Sequence, residues 1–236
     1  MSCSVALLQD DTVLAELTLN IKKTHSERLI PLLDRMLIES GIERESLQAV
    51  AAAAGPGSFT GLRIGLATAR ALAQGLKIPG VSVGTLEALA EAAPAPNALI
   101  CPILDARRHQ VYSALYRRAP EEPFDLQTEI EPAALALEEL AEQIRRYSEP
   151  VIFTGEGLNS YAPAFKDMLG SQAVLTTAPF RICRASYVAL RARRILESDQ
   201  LEEIMNAGFE ALKPVYLRRS EAERLGPRHK KGGGAS

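Results

Sequence analysis

The run Gly55-Pro56-Gly57-Ser58-Phe59-Thr60-Gly61-Leu62-Arg63-Ile64-Gly65 constrains the fold more than any other stretch of the chain. It follows the short apolar segment Leu47–Ala54, which reads as a buried strand, and it opens a Gly-, Ala- and Leu-rich segment, Gly61–Leu76, which reads as a helix. Strand, glycine turn and helix N-terminus together make a unit of an α/β fold. Free N–H groups at the helix start would suit an anion. The spacing is nevertheless not that of a Walker A loop, because Gly57 and Gly61 enclose three residues, Gly55 and Gly61 enclose five, and no lysine follows. Nor is it a G-x-S-x-G elbow, since Ser58 follows Gly57 directly. A tight turn that lets the helix pack close to the sheet and a phosphate loop both remain open on these residues. Beyond the turn, Gly61, Gly65 and Ala69 recur four apart and make a smooth ridge for close helix approach. Glycine inside a helix costs about 1 kcal/mol relative to alanine, so such a ridge implies a gain from packing.

The flanking pattern extends the α/β reading. Ser4–Leu8 and Val13–Leu19 form a predicted hairpin about the turn Gln9-Asp10-Asp11. Thr24 and Glu27 have capping-box spacing before a helical stripe of Leu29, Leu32, Leu33, Met36 and Leu37, which Ile30 widens. Pro31 should kink this helix or delay its start, and Gly41 should stop it. After the break at Ile78-Pro79-Gly80 come a strand at Val81–Val83 and a helix at Thr85–Ala92. The Pro-containing Ala93–Asn97 marks the boundary between two halves, 1–96 and 97–225, with 226–236 a disordered tail. The second half is expected to hold a strand at Leu99–Leu104, a polar connection at Asp105–His109 and a strand at Gln110–Tyr116. Beyond these it should hold a strand near Phe124–Ile130, an acidic helix at Ala133–Tyr147, a strand at Val151–Thr154 entering Gly155-Glu156-Gly157, and a helix at Ser186–Ser198. That helix should turn Val188, Ala192, Ile195 and Leu196 inward and Arg191, Arg193 and Arg194 outward. Both halves thus run from a hairpin into alternating helix and strand.

Composition removes several classes of function. The chain has 27 Lys and Arg against 29 Asp and Glu, too balanced to hold nucleic acid by bulk charge. Aromatics are 5% with no tryptophan, which is poor material for a base-stacking platform. No apolar run approaches the ~20 residues of a membrane span, and no signal peptide is evident. Cys3, Cys101 and Cys183 are odd in number and widely spaced, which fits a reducing cytoplasm rather than disulfides or a zinc site. His25, His109 and His229 form no His-x-x-x-His pair. His25 beside Ser26 and Glu27 reads more simply as a capping or solvated residue than as a catalytic one. Asp105, Arg107 and Arg108 read more simply as a solvated turn than as an anion site.

Several blocks together resemble the bacterial TsaB (YeaZ) family. They are Gly55–Leu76, Gly80–Ala90, Thr24–Glu27, Asp105–Arg108, Gly155–Gly157 and Lys213–Arg218, spread from Cys3 to Arg218. The resemblance implies two actin-like (sugar kinase/Hsp70-type) α/β halves, each a mixed sheet flanked by helices. It implies a part in transferring threonylcarbamoyl from threonylcarbamoyl-AMP to N6 of adenosine 37 in tRNAs that read A-starting codons. In that system the catalytic subunit is TsaD, TsaB is its dimerising and stabilising partner, and TsaE is an ATPase. TsaD-type chains carry a metal-binding His-x-x-x-His pair. The corresponding positions here are Thr85 and Leu89, a poor ligand and none at all, so no metal site is expected. The family's opening strand and its Asp-Thr-Ser-type turn have no match before Cys3. From the resemblance, an inner strand of the first sheet and the first phosphate loop are expected to be missing, through a late start codon or a rearranged sheet.

The reading that follows is a non-catalytic, cytoplasmic scaffold subunit. Its expected partners are a TsaD-like catalytic subunit and a TsaE-like ATPase, with homodimer and monomer both open as the state of the isolated chain, tRNA only within the complex, and no membrane. The expected contact surface comprises Leu29, Leu33, Met36, Gly61, Gly65, Ala69 and Leu72, packed as a four-helix bundle. Gly55, Gly57, Ser58, Gly155 and Gly157 are candidates for vestigial nucleotide loops, with ATP or ADP bound at most weakly at the complex interface. An active ATP-dependent kinase or carbamoyltransferase of the actin-like class is the alternative. A peptidase finds neither a metal pair nor a triad spacing in its support.

Overall fold

A computed structural model describes residues 2–21, 28–93, 96–119 and 125–217. The N-terminal half contains β1 (Cys3–Gln9), β2 (Thr12–Leu19), α1 (Leu29–Ser40), β3 (Val50–Gly55), α2 (Phe59–Leu76), β4 (Gly80–Gly84) and α3 (Thr85–Ala90). The C-terminal half contains β5 (Leu99–Arg107), β6 (Gln110–Arg118), β7 (Leu126–Ala136), α4 (Leu137–Ile144), β8 (Val151–Thr154), α5 (Leu158–Leu169) and β9 (Ala173–Leu175). Two closing helices, α6 (Ala185–Leu196) and α7 (Leu201–Ala207), follow. The C-terminal sheet has the order β7-β6-β5-β8-β9, antiparallel through β7, β6 and β5 and parallel through β5, β8 and β9. In the N-terminal half β1 pairs antiparallel with β2 and β3 pairs parallel with β4.

Local chemistry explains where the elements start and stop. Pro31 lies in the first turn of α1, where no N–H is needed, so it delays the helix to Leu29 instead of kinking it. The capping-box residues Thr24 and Glu27 fall outside the described residues. Gly41 takes φ 66° and ends α1, with Ile42 N–H donating to Leu37 O and Gly41 N–H to Ile38 O. In α2 the Ser58 hydroxyl accepts from Gly61 N–H at 3.3 Å, which starts the helix two residues earlier than its apolar period suggests. Lys77 adopts φ 58° and closes it.

Three expectations need correction. Ala133–Ala136 belong to β7, not to a helix, because they pair with Gln110–Ser113 of β6, and only Leu137–Ile144 are helical. Pro132 is accommodated at an irregularity of this edge strand. The polar connection at Asp105–His109 is mostly strand: β5 continues to Arg107, and Arg108 and His109 form a two-residue hairpin turn with φ 55° and 57°. The arginines of α6 are not simply solvated. Arg191 pairs with Glu87, and Arg193 and Arg194 both pair with Asp11 and Glu197.

The largest core sits in the C-terminal half. Leu99, Cys101 and Ile103 of β5 meet Leu140 and Ile144 of α4 and Phe165 of α5. Here Phe153 and Phe165 lie 4.9 Å apart in a tilted pair. From Ala185 onward the chain returns to the first half. Val188 and Ala192 of α6 pack on Val81 and Val83, and Leu212 packs on Leu66, Ala69 and Ala73.

A buried ion pair joins the halves near their boundary. Arg118, 1% exposed, donates to Ala90 O at 3.0 Å and to Glu91 Oε2 at 3.3 Å. Burial pushes the Glu91 carboxyl above its ordinary value, against the pull of Arg118. A raised carboxyl holds its proton more tightly folded than unfolded, so stability falls as pH rises from about 4.3 toward the raised value. Glu91→Gln removes that titration. Urea unfolding from about pH 4 to about pH 7 should show the wild type losing stability relative to the variant. A wild type that instead gains would mean that Arg118 outweighs burial.

Candidate functional site

The two glycine loops emerge from the carboxyl ends of β3 and β8, where α/β sheets commonly bind ligands. At the first, Gly55 has φ 123°, and a Cβ there would lie 2.5 Å from Val215 O. Val215 N–H donates to Ala54 O at 2.8 Å, so the returning C-terminal segment lies directly on this turn. Ser58 is engaged as the α2 cap, and Gly57 is exposed, with only ordinary contact to Leu62 at the position of a Cβ. At the second loop Gly157 N–H donates to Ile103 O at 3.0 Å, and a Cβ on Gly157 would come within 2.7 Å of Ile103 Cγ2. Gly155 has φ 100° and its missing Cβ points at the same carbonyl. Of the two readings open in the sequence, close packing accounts for Gly55, Gly155 and Gly157.

A cleft of about 300 Å³ lies between the halves, lined by Ser2 and Asn20 from the first and by Glu156, Asn159, Pro179 and Arg181 from the second. Its cation is engaged: Arg181 donates to Thr176 O at 2.9 Å and to Asn159 Oδ1 at 3.1 Å. Glu156 adds a carboxylate to the same wall. This donor set does not fit a nucleotide polyphosphate.

The positions that would carry a metal lie in the core. Leu89 has no exposed surface and packs with Leu86, Ile100 and Leu104, and Thr85 is 7% exposed with an Oγ1 that has no partner. Among the described residues no three His, Cys, Asp or Glu side chains are grouped to hold a metal ion. His25 and His229 fall outside the described residues, and His109 sits at the β5–β6 turn. Asp105 is tied locally, its Oδ1 accepting from Arg107 N–H at 2.8 Å and from Tyr161 OH at 3.2 Å. Burial raises all three thiols, those of Cys101 and Cys183 to about 12, so none is a ready nucleophile at neutral pH.

The residues expected on the contact surface divide between inside and outside. Met36 is 4% exposed against Val5 and Leu7, with Leu29 and Leu33 leaning on the same cluster. Ala69 is 7% exposed beside Leu66 and Ala73. Met36 and Ala69 are therefore corrected to core positions: the apolar stripe of α1 is what fastens it to β1, and the third step of the glycine ridge has rotated inward. Gly61 and Leu72 are half-buried, and Gly65 faces open space. Outward on α1 are Ile30 and Ile38, 56% and 77% exposed. Their spacing of eight, two steps of four along one face, is the signal that could have found them. At the start of α2, Phe59 is also exposed, with the Arg63 guanidinium 3.8 Å from its ring centre.

Comparison with known proteins gives this arrangement its context. A protein-family model described as "TsaD: tRNA N6-adenosine threonylcarbamoyltransferase" matches residues 12–225. The tRNA threonylcarbamoyladenosine biosynthesis protein TsaB of Bacillus subtilis is 34% identical over 93% of this chain and 90% of its own length. TsaB of Escherichia coli is 31% identical over 94% of this chain and 92% of its own. The chain belongs to the TsaB family. Among solved structures, a Pseudomonas aeruginosa protein described as similar to peptidase YEAZ superposes with a TM-score of 0.73 at 26% identity, covering 92% of this chain and 94% of that one. YeaZ from the same organism gives 0.72 at 24% identity, a likeness of fold. The two halves are thus the actin-like halves of this family. None of the helices among the described residues is long and apolar enough to cross a membrane.

The glycines separate by substitution. Gly157→Ala meets Ile103 and should lower stability by about 1–3 kcal/mol through overpacking. Gly65→Ala meets nothing within 4 Å and should raise it by up to about 1 kcal/mol through helix propensity. Thermal unfolding of both variants checks this, and a Gly157→Ala protein as stable as wild type would free the second loop from its packing role.

Proposed function

We propose that this chain is a non-catalytic scaffold subunit in threonylcarbamoyladenosine biosynthesis on tRNA. It stabilises a TsaD-like catalytic subunit, which transfers threonylcarbamoyl to N6 of adenosine 37. The observation that carries the reading is Leu89. A side chain without a donor atom, buried in an apolar core, stands where a metal ligand is needed. A kinase or carbamoyltransferase would need open phosphate loops, whereas here the loop glycines approach backbone of β5 and of the C-terminal segment.

The partner surface in this reading is the outward side of α1 and α2. Ile30 and Ile38 supply apolar contact and Gly65 lets a facing helix come close. Leu72 and Gly61 lie at its margin, and Leu29, Leu33, Met36 and Ala69 hold the two helices in position from behind. The TsaD-like subunit presents the matching pair of helices, a second copy takes its place in the isolated chain, and a TsaE-like ATPase and tRNA join only the assembled complex. The setting is the cytoplasm, and ATP or ADP is held at most weakly, at the interface.

Mixing the chain with the TsaD-like protein of its own genome should give a one-to-one complex by light scattering, and the modified nucleoside should form only in its presence. Gly65→Leu should weaken that association about ten-fold or more, since overpacking costs about 1–3 kcal/mol per site, while circular dichroism stays unchanged. Unchanged association would remove Gly65 from the interface. Modified nucleoside made by this chain alone, or a stoichiometric iron or zinc ion in it, would overturn the non-catalytic reading.

A further inference from the structure

One row of α2 lies off the surface assigned above to a protein partner. Phe59, Arg63 and Arg70 follow one another at spacings of four and seven, as Gly61, Gly65 and Leu72 do two residues later. Two residues are about 200° of turn, so the two rows flank the buried stripe of Leu66, Ala69 and Ala73 on opposite sides. The returning C-terminal segment runs beside the first row. Leu212 packs into the buried stripe, Lys213 N–H donates to Ser82 Oγ at 2.9 Å, and Val215 N–H donates to Ala54 O at 2.8 Å. The segment is thereby fixed against α2 with Lys213 and Tyr216 exposed.

Aromatic rings and guanidinium groups meet along this seam. The Arg63 guanidinium lies 3.8 Å from the ring centre of Phe59, and the Tyr216 ring lies 6.3 Å from that ring at a 35° tilt. Further along, the Arg70 guanidinium lies 5.8 Å from the ring centre of Phe209. Phe59 is 48% and Tyr216 52% exposed, and both arginines are exposed.

Charge on the seam is one-sided. α2 contains no Asp or Glu, and the segment from Gly208 to Leu217 adds one acid, Glu210. Among the described residues Arg63, Arg70 and Lys213 enter no ion pair, whereas Arg117, Arg118, Arg191, Arg193 and Arg194 all do. The near-zero net charge of the chain hides this local excess. Its low aromatic content hides the rings, because a stacking contact needs only one or two of them at the surface.

We propose that this seam is a contact for single-stranded RNA, with Phe59 and Tyr216 stacking on unpaired bases and Arg63, Arg70 and Lys213 meeting phosphates. Rings and guanidinium planes accept any base, and cations without a carboxylate partner suit a backbone of phosphates. Phe59 and Arg70 are eleven residues apart, about 16 Å of helix, so the contact takes a short stretch of chain. The choice of RNA rests on the tRNA role proposed above, while the seam itself lies across α2 from the Gly65 row given there to the TsaD-like subunit.

The probe is a fluorescently labelled oligoadenylate of about ten nucleotides, titrated into the full chain at low salt and followed by anisotropy. Binding should saturate and weaken with salt at a log–log slope of about −2, as three phosphate contacts on a single strand require. Tyr216→Ala and Arg63→Ala should each weaken it about ten-fold through lost stacking. Arg146→Ala removes the same charge from the C-terminal half and should leave binding within about two-fold of wild type. Inorganic polyphosphate, which has charge and no bases, should bind wild type and Tyr216→Ala alike. Association of Tyr216→Ala and Arg63→Ala with the TsaD-like protein should match wild type. No saturable RNA binding, wild-type RNA binding by both variants, or loss of TsaD association in them overturns the inference, the last by making the seam a protein contact. Absence of any complex between wild type and the TsaD-like protein would count against the scaffold role and not against the RNA contact.

Discussion

The fold depends on close backbone approach at the carboxyl ends of its parallel strands. Gly55 lies under the carbonyl of Val215, and Gly155 and Gly157 under Ile103; Gly80, at the amino end of β4, lies under the side chain of Leu212. At Gly55 and Gly155 a left-handed φ adds to the steric demand, so glycine is required there twice over. These contacts bring the last segment of the chain onto the first sheet and seat the β8 turn on β5. A glycine loop of this type presents the same letters as a phosphate loop. What distinguishes them is the occupant of the space a Cβ would fill, and here that occupant is the protein itself.

The second organising element is α6, which joins segments distant in sequence. Its apolar side rests on β3 and β4, and its basic side reaches Asp11 at the first hairpin and Glu87 on α3. These ion pairs are partly exposed, and each contributes at most about 1 kcal/mol to stability. Their fixed geometry orients the helix, while the burial of Val188 and Ala192 attaches it. The buried pair Arg118–Glu91 behaves differently. There burial penalises the carboxylate, and the pair is better seen as fixing how the two halves meet than as a source of stability.

Most of the architecture was legible because its signals are local. The cap at Ser58, the stop at Gly41, and the strand-turn-helix run through Gly55–Leu76 are each written within a few residues. α5 was silent because Pro163 lies inside it and masks the helical pattern, and β9 because three residues give no period. Ala133–Ala136 misled because alanine favours helix locally, while the edge of β6 offered a ladder to pair with, and tertiary pairing prevailed over propensity. At the candidate site, Thr85 and Leu89 were legible by type, since neither makes a metal ligand pair. The facing of Met36 and Ala69 was not, because an apolar stripe looks the same whether it meets its own sheet or another chain.

That last ambiguity bears on how an actin-like chain can serve as a scaffold. A helix has room for an inward stripe that fastens it and an outward stripe that is offered to a partner, and the two need different chemistry. In α1 the inward stripe is Leu29, Leu33 and Met36, while Ile30 and Ile38 stand outward with Asp34 between them on the same face. In α2 the inward stripe is Leu66, Ala69 and Ala73, and the outward side has Gly65 and Gly75 with no atom near the position of a Cβ. Leu89 belongs to a core cluster separate from those under α1 and α2. In the proposed scaffold reading, a leucine at a ligand position and a docking surface on the outward stripes are therefore structurally independent of each other, as that reading requires.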